Sequence, residues 1–336
     1  MSKAQITIKD LANKLNISIS TVSRALRNAT DINPETKKAI LALACELRYQ
    51  PNYIAQSLVK QETRIIGIIM PTINSYYFSQ ALIGMTDIAS EYGYYLMFCQ
   101  SNETVLKEKK DLKKLISCHI DGLLISLSKE TREKEEFEEL LQNETPMVMF
   151  DRILTDVTCS KVIVDEYEGA FKAVEHLIKK GCKHIAHIAG PKYLSVSTNR
   201  MNGYLDALKK HKLPINNELI IRCNAFEDDV LKAIKKLLKV SPAPDGIFFI
   251  NDLSAITAIK YYQKIGIRIP EDIKVVGFNN DPSSIVIEPS LTTVMQPGYE
   301  VGKLSMGILI DEIKNKKTKF QTFKLRTKLI IRNSSK

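Results

Sequence analysis

Thr7-Ile8-Lys9-Asp10-Leu11-Ala12, a short turn, and then Ser18-Ile19-Ser20-Thr21-Val22-Ser23-Arg24-Ala25-Leu26 form the stretch on which the reading of the whole chain turns. Thr7 is placed to cap a helix whose apolar residues Ile8, Leu11, Ala12 and Leu15 share one face. Asn16-Ile17 breaks that pattern. Ser18 then caps a second helix, which buries Val22, Ala25 and Leu26 and turns Ile19, Ser20, Thr21, Ser23 and Arg24 outward at or near its N-terminal end. A third helix starts at Asn33-Pro34, a capping residue followed by the imino acid tolerated at the first helical position, and Ile40, Leu43, Ala44 and Leu47 close a small core. A plain three-helix bundle has the same periodicity. The outward residues point to more: short hydroxyl side chains let a helix approach base edges, a helix N-terminus favours phosphate, and arginine bridges guanine O6 and N7. The segment therefore reads as a helix-turn-helix that lies in a DNA groove.

Charge supports this. Residues 1–60 hold nine Lys or Arg against four Asp or Glu, so half of the chain's net +10 sits on its amino end, as a footprint for phosphate requires.

Residues 49–64 join this module to the rest. Pro51 stops the third helix and Asn52 can cap another through Leu58, a segment below the roughly 12–15 residues an isolated helix needs to be even marginal in water. Such a helix needs a partner: the same segment of a second subunit, or the minor groove, where Leu58 can wedge between base steps. A disordered linker is the plainer alternative.

From Arg64 onward short apolar runs alternate with helical patterns. Strands are expected at 65–70, 94–99, 122–125, 147–150, 162–164, 185–189, 246–250 and 275–278, and helices at 78–92, 104–117, 133–142, 167–180, 200–211, 227–239 and 252–265. That alternation predicts parallel sheets with helices on both faces, and the length predicts two lobes with a ligand crevice beyond the carboxyl ends of the strands. No run reaches the roughly 18 apolar residues of a membrane span and no signal-peptide pattern opens the chain, so a cytoplasmic protein is expected. Six cysteines without a CxxC pair read as small buried hydrophobes. GxGxxG, GxxxxGK[ST] and GxSxG are all missing, which removes the anchors of dinucleotide, P-loop and serine-hydrolase enzymes. His184 and His187 find no evident third ligand, so neither metal nor cofactor is expected.

With these segments in view, the chain resembles the lactose/purine repressor family of bacterial regulators. The resemblance runs through Pro51-Asn52-Tyr53-Ile54-Ala55-Gln56-Ser57-Leu58, Asp121-Gly122-Leu123-Leu124-Ile125, Phe150-Asp151-Arg152, Arg200-Met201-Asn202-Gly203-Tyr204, Asn251-Asp252 and Pro289-Ser290-Leu291-Thr292-Thr293-Val294, nearly the whole length. It implies an all-α helix-turn-helix domain (1–50), a hinge helix (51–63), and a two-lobed α/β core like the periplasmic binding proteins (64–336). The lobes would be discontinuous, one from about 64–159 plus 291–321 and the other from about 160–290 plus 322–336.

By the same resemblance, DNA contacts are expected from Thr7, Ser18, Ile19, Ser20, Thr21, Ser23, Arg24, Asn28, Tyr49, Asn52, Ala55 and Leu58, with Ile19, Ser20 and Arg24 reading bases. Gln56 departs from relatives that carry arginine there. Effector contacts are expected from Tyr77, Phe78, Asp151, Arg152, Arg200, Asn251, Asp252 and Asn279, a set of aromatic faces and paired donors and acceptors suited to a carbohydrate. Asp252 is also a natural helix cap and Phe78 a natural core residue. Asn279 stands where sugar-responsive relatives often have aspartate. The expected protein is a homodimeric repressor whose grip on operator DNA is set by a small-molecule effector. A free-standing sugar-binding protein, the nearest rival, does not account for residues 1–60.

Overall fold

Caps define the three N-terminal helices. The Thr7 hydroxyl accepts from the Asp10 amide while the Asp10 carboxylate accepts from the Thr7 amide at 2.7 Å, which opens α1 (Ile8–Leu15) with a reciprocal capping box. Asn16 closes it with φ 50°, the left-handed conformation an asparagine tolerates. Ser18 Oγ accepts from the Thr21 amide at 3.1 Å to start α2 (Ile19–Leu26), and Asn33 caps α3 (Pro34–Glu46). Leu11, Val22 and Ile40 are fully buried among Ala12, Ala25 and Ala44; Leu26, Leu43 and Leu47 are only partly covered. The computed structural model describes residues 6–50, 62–135, 137, 140, 145–224, 227–315 and 319–336, so the hinge segment with Asn52, Ala55 and Leu58 lies outside the described residues. The chain divides into two compact units, 1–64 and 65–336.

The second unit contains two six-stranded sheets. In chain order its elements are β1 (Ile65–Met70), α4 (Tyr76–Glu91), β2 (Tyr95–Gln100), α5 (Val105–Ser117), β3 (Gly122–Ile125), β4 (Met147–Phe150), β5 (Ser160–Val164), α6 (Glu166–Lys179), β6 (Ile185–Ala189), α7 (Ser195–Lys210), β7 (Ile220–Arg222) and α8 (Glu227–Leu237). There follow β8 (Gly246–Phe249), α9 (Asp252–Lys264), β9 (Lys274–Asn279), α10 (Ser283–Val286), β10 (Thr292–Met295), α11 (Gly298–Asn315), β11 (Thr322–Leu325) and β12 (Lys328–Ile330). The first sheet runs β11-β5-β4-β3-β1-β2 and the second β12-β10-β9-β8-β6-β7. Every pairing is parallel except β10 with β12. The central strands are buried on both faces, as all-parallel strands between helical layers must be.

Sheet membership corrects the expected lobe limits. β5 belongs to the first sheet, β10 to the second and β11 to the first, so the chain crosses after Val164, after Met295 and between Leu325 and Lys328, not at 159, 290 and 321. Each strand extends its sheet before the chain departs, which a crossing placed ahead of it would forbid.

α11 was not anticipated from periodicity. It packs on α4 so closely that a Cβ on Gly302 would lie 1.9 Å from the Ala81 carbonyl oxygen, and one on Gly84 would lie 2.2 Å from that of Tyr299. Backbone contact of that kind demands glycine, and glycine is what weakens a helical pattern. Among the described residues no helix is long and apolar enough to cross a membrane.

Candidate functional site

Two regions carry the candidate residues, one in each unit. In the first unit, α2 presents its amino end. Ser18 Oγ lies 2.8 Å from both Ser20 Oγ and Thr21 Oγ1, so the three hydroxyls form one small polar cluster around the cap. Ile19 beside them is 45% exposed, an apolar side chain with no core to join and the right chemistry for a thymine methyl. Arg24 pairs with Asp31, both side chains about half exposed, a pair water weakens and a base can displace. Ser23 is engaged by Arg27, whose Nη2 donates to Ser23 Oγ at 2.5 Å. Thr7 stands at the head of α1, Asn28 just past α2 in left-handed conformation (φ 62°), and Tyr49 beyond α3, half-buried against the small core. The structure thus gathers Ile19, Ser20, Thr21, Ser23 and Arg24 on one short helix capped by Ser18, and leaves Thr7, Asn28 and Tyr49 on neighbouring segments.

The second region is a cavity of about 250 Å³ inside the two-lobed unit. Every strand that reaches it does so by its carboxyl end, as open parallel sheets dictate. From the first lobe come Tyr77 and Phe78 on the first turn of α4, Asp151 and Arg152 after β4, and Glu103 and Lys129. From the second come Arg200 on α7, Asn251 after β8 and Asn279 at the end of β9, and Gln296 follows β10. Seven of the eight expected effector residues therefore meet in one place. Phe78 is both core and wall: it is 4% exposed and edge-on to Phe150 at 6.4 Å.

Asp252 is the exception. It is buried away from the cavity lining, its Oδ1 accepting from Thr293 Oγ1 at 2.5 Å and its Oδ2 from the Asp281 amide at 2.7 Å. It does not cap α9 either; that falls to Asn251, which accepts from the Ser254 amide at 2.9 Å. Burial pushes its carboxyl up to about 7 against the pull of those hydrogen bonds. An acid raised in this way stabilises the fold while it stays protonated, and the contribution is lost as pH rises from its ordinary 3.8 through about 7. We expect the melting temperature of the native chain to fall across that window relative to Asp252→Asn, measured by calorimetry at pH 4 to 8. Parallel curves for the two proteins would remove Asp252 as the titrating group.

Charge within the cavity is internally balanced. Arg152 Nη1 donates to Glu103 Oε2 at 2.7 Å and its Nε lies 3.9 Å from Asp151 Oδ2. Arg200 Nε donates to Glu166 Oε2 at 2.6 Å, Nη1 donates to the Ile250 carbonyl, and the guanidinium lies 3.7 Å over the Phe278 ring. Burial raises the carboxyls of Asp151 and Glu166, and the arginines pull both back down. Tyr77 is held well above its usual value by burial and by the neighbouring Asp151. At this cavity Asn279 Oδ1 is buried without a hydrogen-bond partner, while the Tyr77 hydroxyl is engaged by the Asp151 carboxylate. A buried oxygen without a partner costs about 1–3 kcal/mol, which a ligand group that donates to it recovers. Asp151 and Asn279 both have positive φ, 60° and 113°, so each lobe places one strained residue at a strand end facing the cavity.

Glu166 and Gln296 escaped the sequence reading. An acidic residue in the first turn of a helix reads as dipole compensation; only the fold brings it under Arg200. His187, by contrast, is core: its Nδ1 meets the Phe248 carbonyl oxygen at 2.9 Å, its ring stacks on Phe248 and Tyr204, and burial lowers its pKa to about 4.

A helix-turn-helix with a basic amino end, joined to a two-lobed core with a polar cleft, defines a ligand-responsive DNA-binding regulator. Comparison with known proteins gives the family. Residues 7–52 match the model for bacterial regulatory proteins of the lacI family, and residues 174–335 match that for a periplasmic binding protein-like domain. The ribose operon repressor of Halalkalibacterium halodurans is 33% identical over 330 residues, 98% of this chain and 97% of that protein. The cellobiose complex of the transcriptional regulator CelR superposes with a TM-score of 0.75 at 26% identity, over 98% of this chain and 100% of the other. The Lac repressor dimer bound to operator and an anti-inducer shares the fold, with a TM-score of 0.87 at 23% identity over 98% and 99% of the two chains. The chain belongs to the lacI family of bacterial regulatory proteins, and it is a DNA-binding transcriptional regulator.

Proposed function

We propose that this regulator is a homodimeric repressor whose affinity for a near-palindromic operator is set by a small, uncharged, polyhydroxylated ligand bound between the lobes. The observation that carries this reading is the convergence of Tyr77, Phe78, Asp151, Arg152, Arg200, Asn251 and Asn279 on one cavity. Aromatic faces stack on sugar C–H surfaces, and the unpartnered Asn279 Oδ1 suits a donating hydroxyl group. Lys129, Arg152 and Arg200 are matched by Glu103, Asp151 and Glu166, so no net positive charge is left for a phosphate. The cavity is smaller than the roughly 300–1,000 Å³ of drug-sized pockets, which favours a single ring over an oligosaccharide. The cleft is read as a binding site and not a catalytic one because the relatives matched over nearly the whole chain are repressors.

Recognition helices of two subunits would occupy successive major grooves, and Ile19, Ser20 and Arg24 would read bases. Thr7, Ser18, Thr21, Ser23, Asn28 and Tyr49 would flank them, and Asn52, Ala55 and Leu58 of the hinge would enter the minor groove. Exposed apolar side chains on the core, among them Tyr95, Leu253, Ile285 and Val286, would be covered by the second copy. The protein would act in the cytoplasm, where bacterial operators lie. Ligand-driven change in the angle between lobes would alter the spacing of two marginal hinge helices, and a coupling of about 1–3 kcal/mol shifts operator affinity roughly 5- to 150-fold.

The test is a thermal-shift screen of the full chain against pentoses, hexoses, cellobiose, nucleosides and their phosphates. A neutral sugar at about 100 times its Kd stabilises by about 2.7 kcal/mol, a readable rise in melting temperature. The phosphorylated counterpart should give none. Stabilisation by phosphates alone would overturn the charge argument. Leu58→Ala should weaken binding to a selected genomic duplex about tenfold or more with sugar affinity unchanged, as loss of a groove wedge predicts. Unaltered operator affinity in a fluorescence titration would remove the wedge role.

A further inference from the structure

We infer that Glu166 is a positioning residue that locks the crossover segments to the cleft arginine, so that lobe angle and cleft occupancy move together. The inference rests on the reading of the cleft as the effector site. Glu166 is the first residue of α6, immediately after the chain has left β5 for the second lobe, and Gln296 immediately follows β10, where the chain leaves the second lobe for α11. These are the first and second crossovers. Glu166 Oε1 accepts from Gln296 Nε2 at 2.8 Å, so one hydrogen bond joins them. Its other oxygen, Oε2, accepts from Arg200 Nε at 2.6 Å. One carboxylate therefore holds both crossovers and the guanidinium that lines the cavity. All three side chains are buried, Glu166 at 3%, Arg200 at 6% and Gln296 at 7% exposed, so water does not compete for these bonds.

The third crossover is tied in through the preceding residue. The Asp165 amide donates to the Leu325 carbonyl at 2.8 Å, and Lys324 Nζ lies 3.4 Å from Asp165 Oδ2. A rotation of one lobe against the other turns the backbone at these three places. With Glu166 bonded to both Gln296 and Arg200, it cannot do so without displacing Arg200, and a ligand that engages Arg200 acts on the same carboxylate. Glutamate suits this post because two oxygens accept from two donors at once, and its charge offsets that of the buried arginine. Methionine in its place keeps much of the volume and offers neither donor nor strong acceptor, whereas glutamine could still bond Gln296 through a turned amide.

The experiment needs no identified ligand. Amide hydrogen exchange is followed by mass spectrometry on the full chain, its Glu166→Met and Gln296→Met variants, and the swapped pair E166Q/Q296E. Both single variants should exchange at least tenfold faster around 164–166 and around 296–298, with the central strands β1 and β8 unchanged. The swapped pair should return toward the native rate, because it restores a carboxylate–amide bond between the crossovers. Acceleration confined to the mutated segment, or no rescue by the swap, would overturn the lock. In parallel, each protein is titrated onto the genomic duplex that the native chain enriches most. A lobe angle no longer held leaves a smaller operator-competent fraction, and a fall to a tenth weakens apparent affinity tenfold. Faster exchange with native operator affinity would show that the lock exists without governing DNA binding, which also overturns the inference. Failure of the native chain to enrich any fragment would break the functional reading instead, and the exchange arm would still decide the lock.

Discussion

Leu11→Ala is expected to abolish specific DNA binding while the two-lobed unit stays folded and still takes its ligand. Leu11 is fully buried in a core that counts six buried side chains among the described residues. Truncating a buried leucine costs about 2–5 kcal/mol. A unit that ends at Arg64 is small, and at roughly 0.05–0.15 kcal/mol per residue its whole stability is of that size. The other core clusters lie entirely in the second unit and share no residue with it, so unfolding should stop at the boundary. Two melting transitions in the native chain should become one in the variant, and titration with the enriched duplex should show only weak, salt-sensitive binding. A variant that keeps both transitions and normal operator affinity would mean that this small core is not what limits the unit.

Arg200→Ala should eliminate the effector response and lower the melting temperature of the second unit, while operator binding persists. The substitution removes the cavity's buried guanidinium and leaves the Glu166 carboxylate with Gln296 alone. Breaking a buried ion pair from one side costs about 3–5 kcal/mol because a charge stays behind without its partner. Arg200→Lys should not restore the response, since an ammonium cannot bond Glu166 and the Ile250 carbonyl in the fixed fork that arginine offers while it also stacks on Phe278. Arg200→Met combined with Glu166→Gln should recover much of the stability and none of the response. A normal ligand-induced change in operator affinity for Arg200→Ala would place the arginine outside the ligand shell.

Much of the molecule was legible in the chain because local chemistry and fold agree. Thr7, Ser18 and Asn33 announce three helices and each makes its cap bond. The runs at Ile65–Met70, Gly122–Ile125, Met147–Phe150 and Ile185–Ala189 are strands over the expected residues. What was missed depends on contacts distant in sequence. Edge strands β7, β11 and β12 are three or four residues long and partly exposed, and the apolar runs at 219–221 and 329–331 are too short to stand out. Gly84 and Gly302 serve a close helix contact that no spacing rule foretells. In the cleft, family likeness led to seven lining residues, while Asp252 lies behind them with Thr293 within β10 and Asp281 beyond β9 as its partners. Glu166 was overlooked for the same reason: its partners are 34 and 130 residues away.

The threading of the two sheets also sets an order of events during synthesis. The three N-terminal helices share a small core of their own and can fold as soon as they emerge, whereas the first sheet waits for β11 and the second for β12, both from the far end of the chain. A nascent or prematurely terminated polypeptide therefore owns its DNA-reading surface before it owns any means of regulating it. Fragments that stop short of β11 would carry an unregulated DNA-reading surface, and selection should favour their rapid proteolysis.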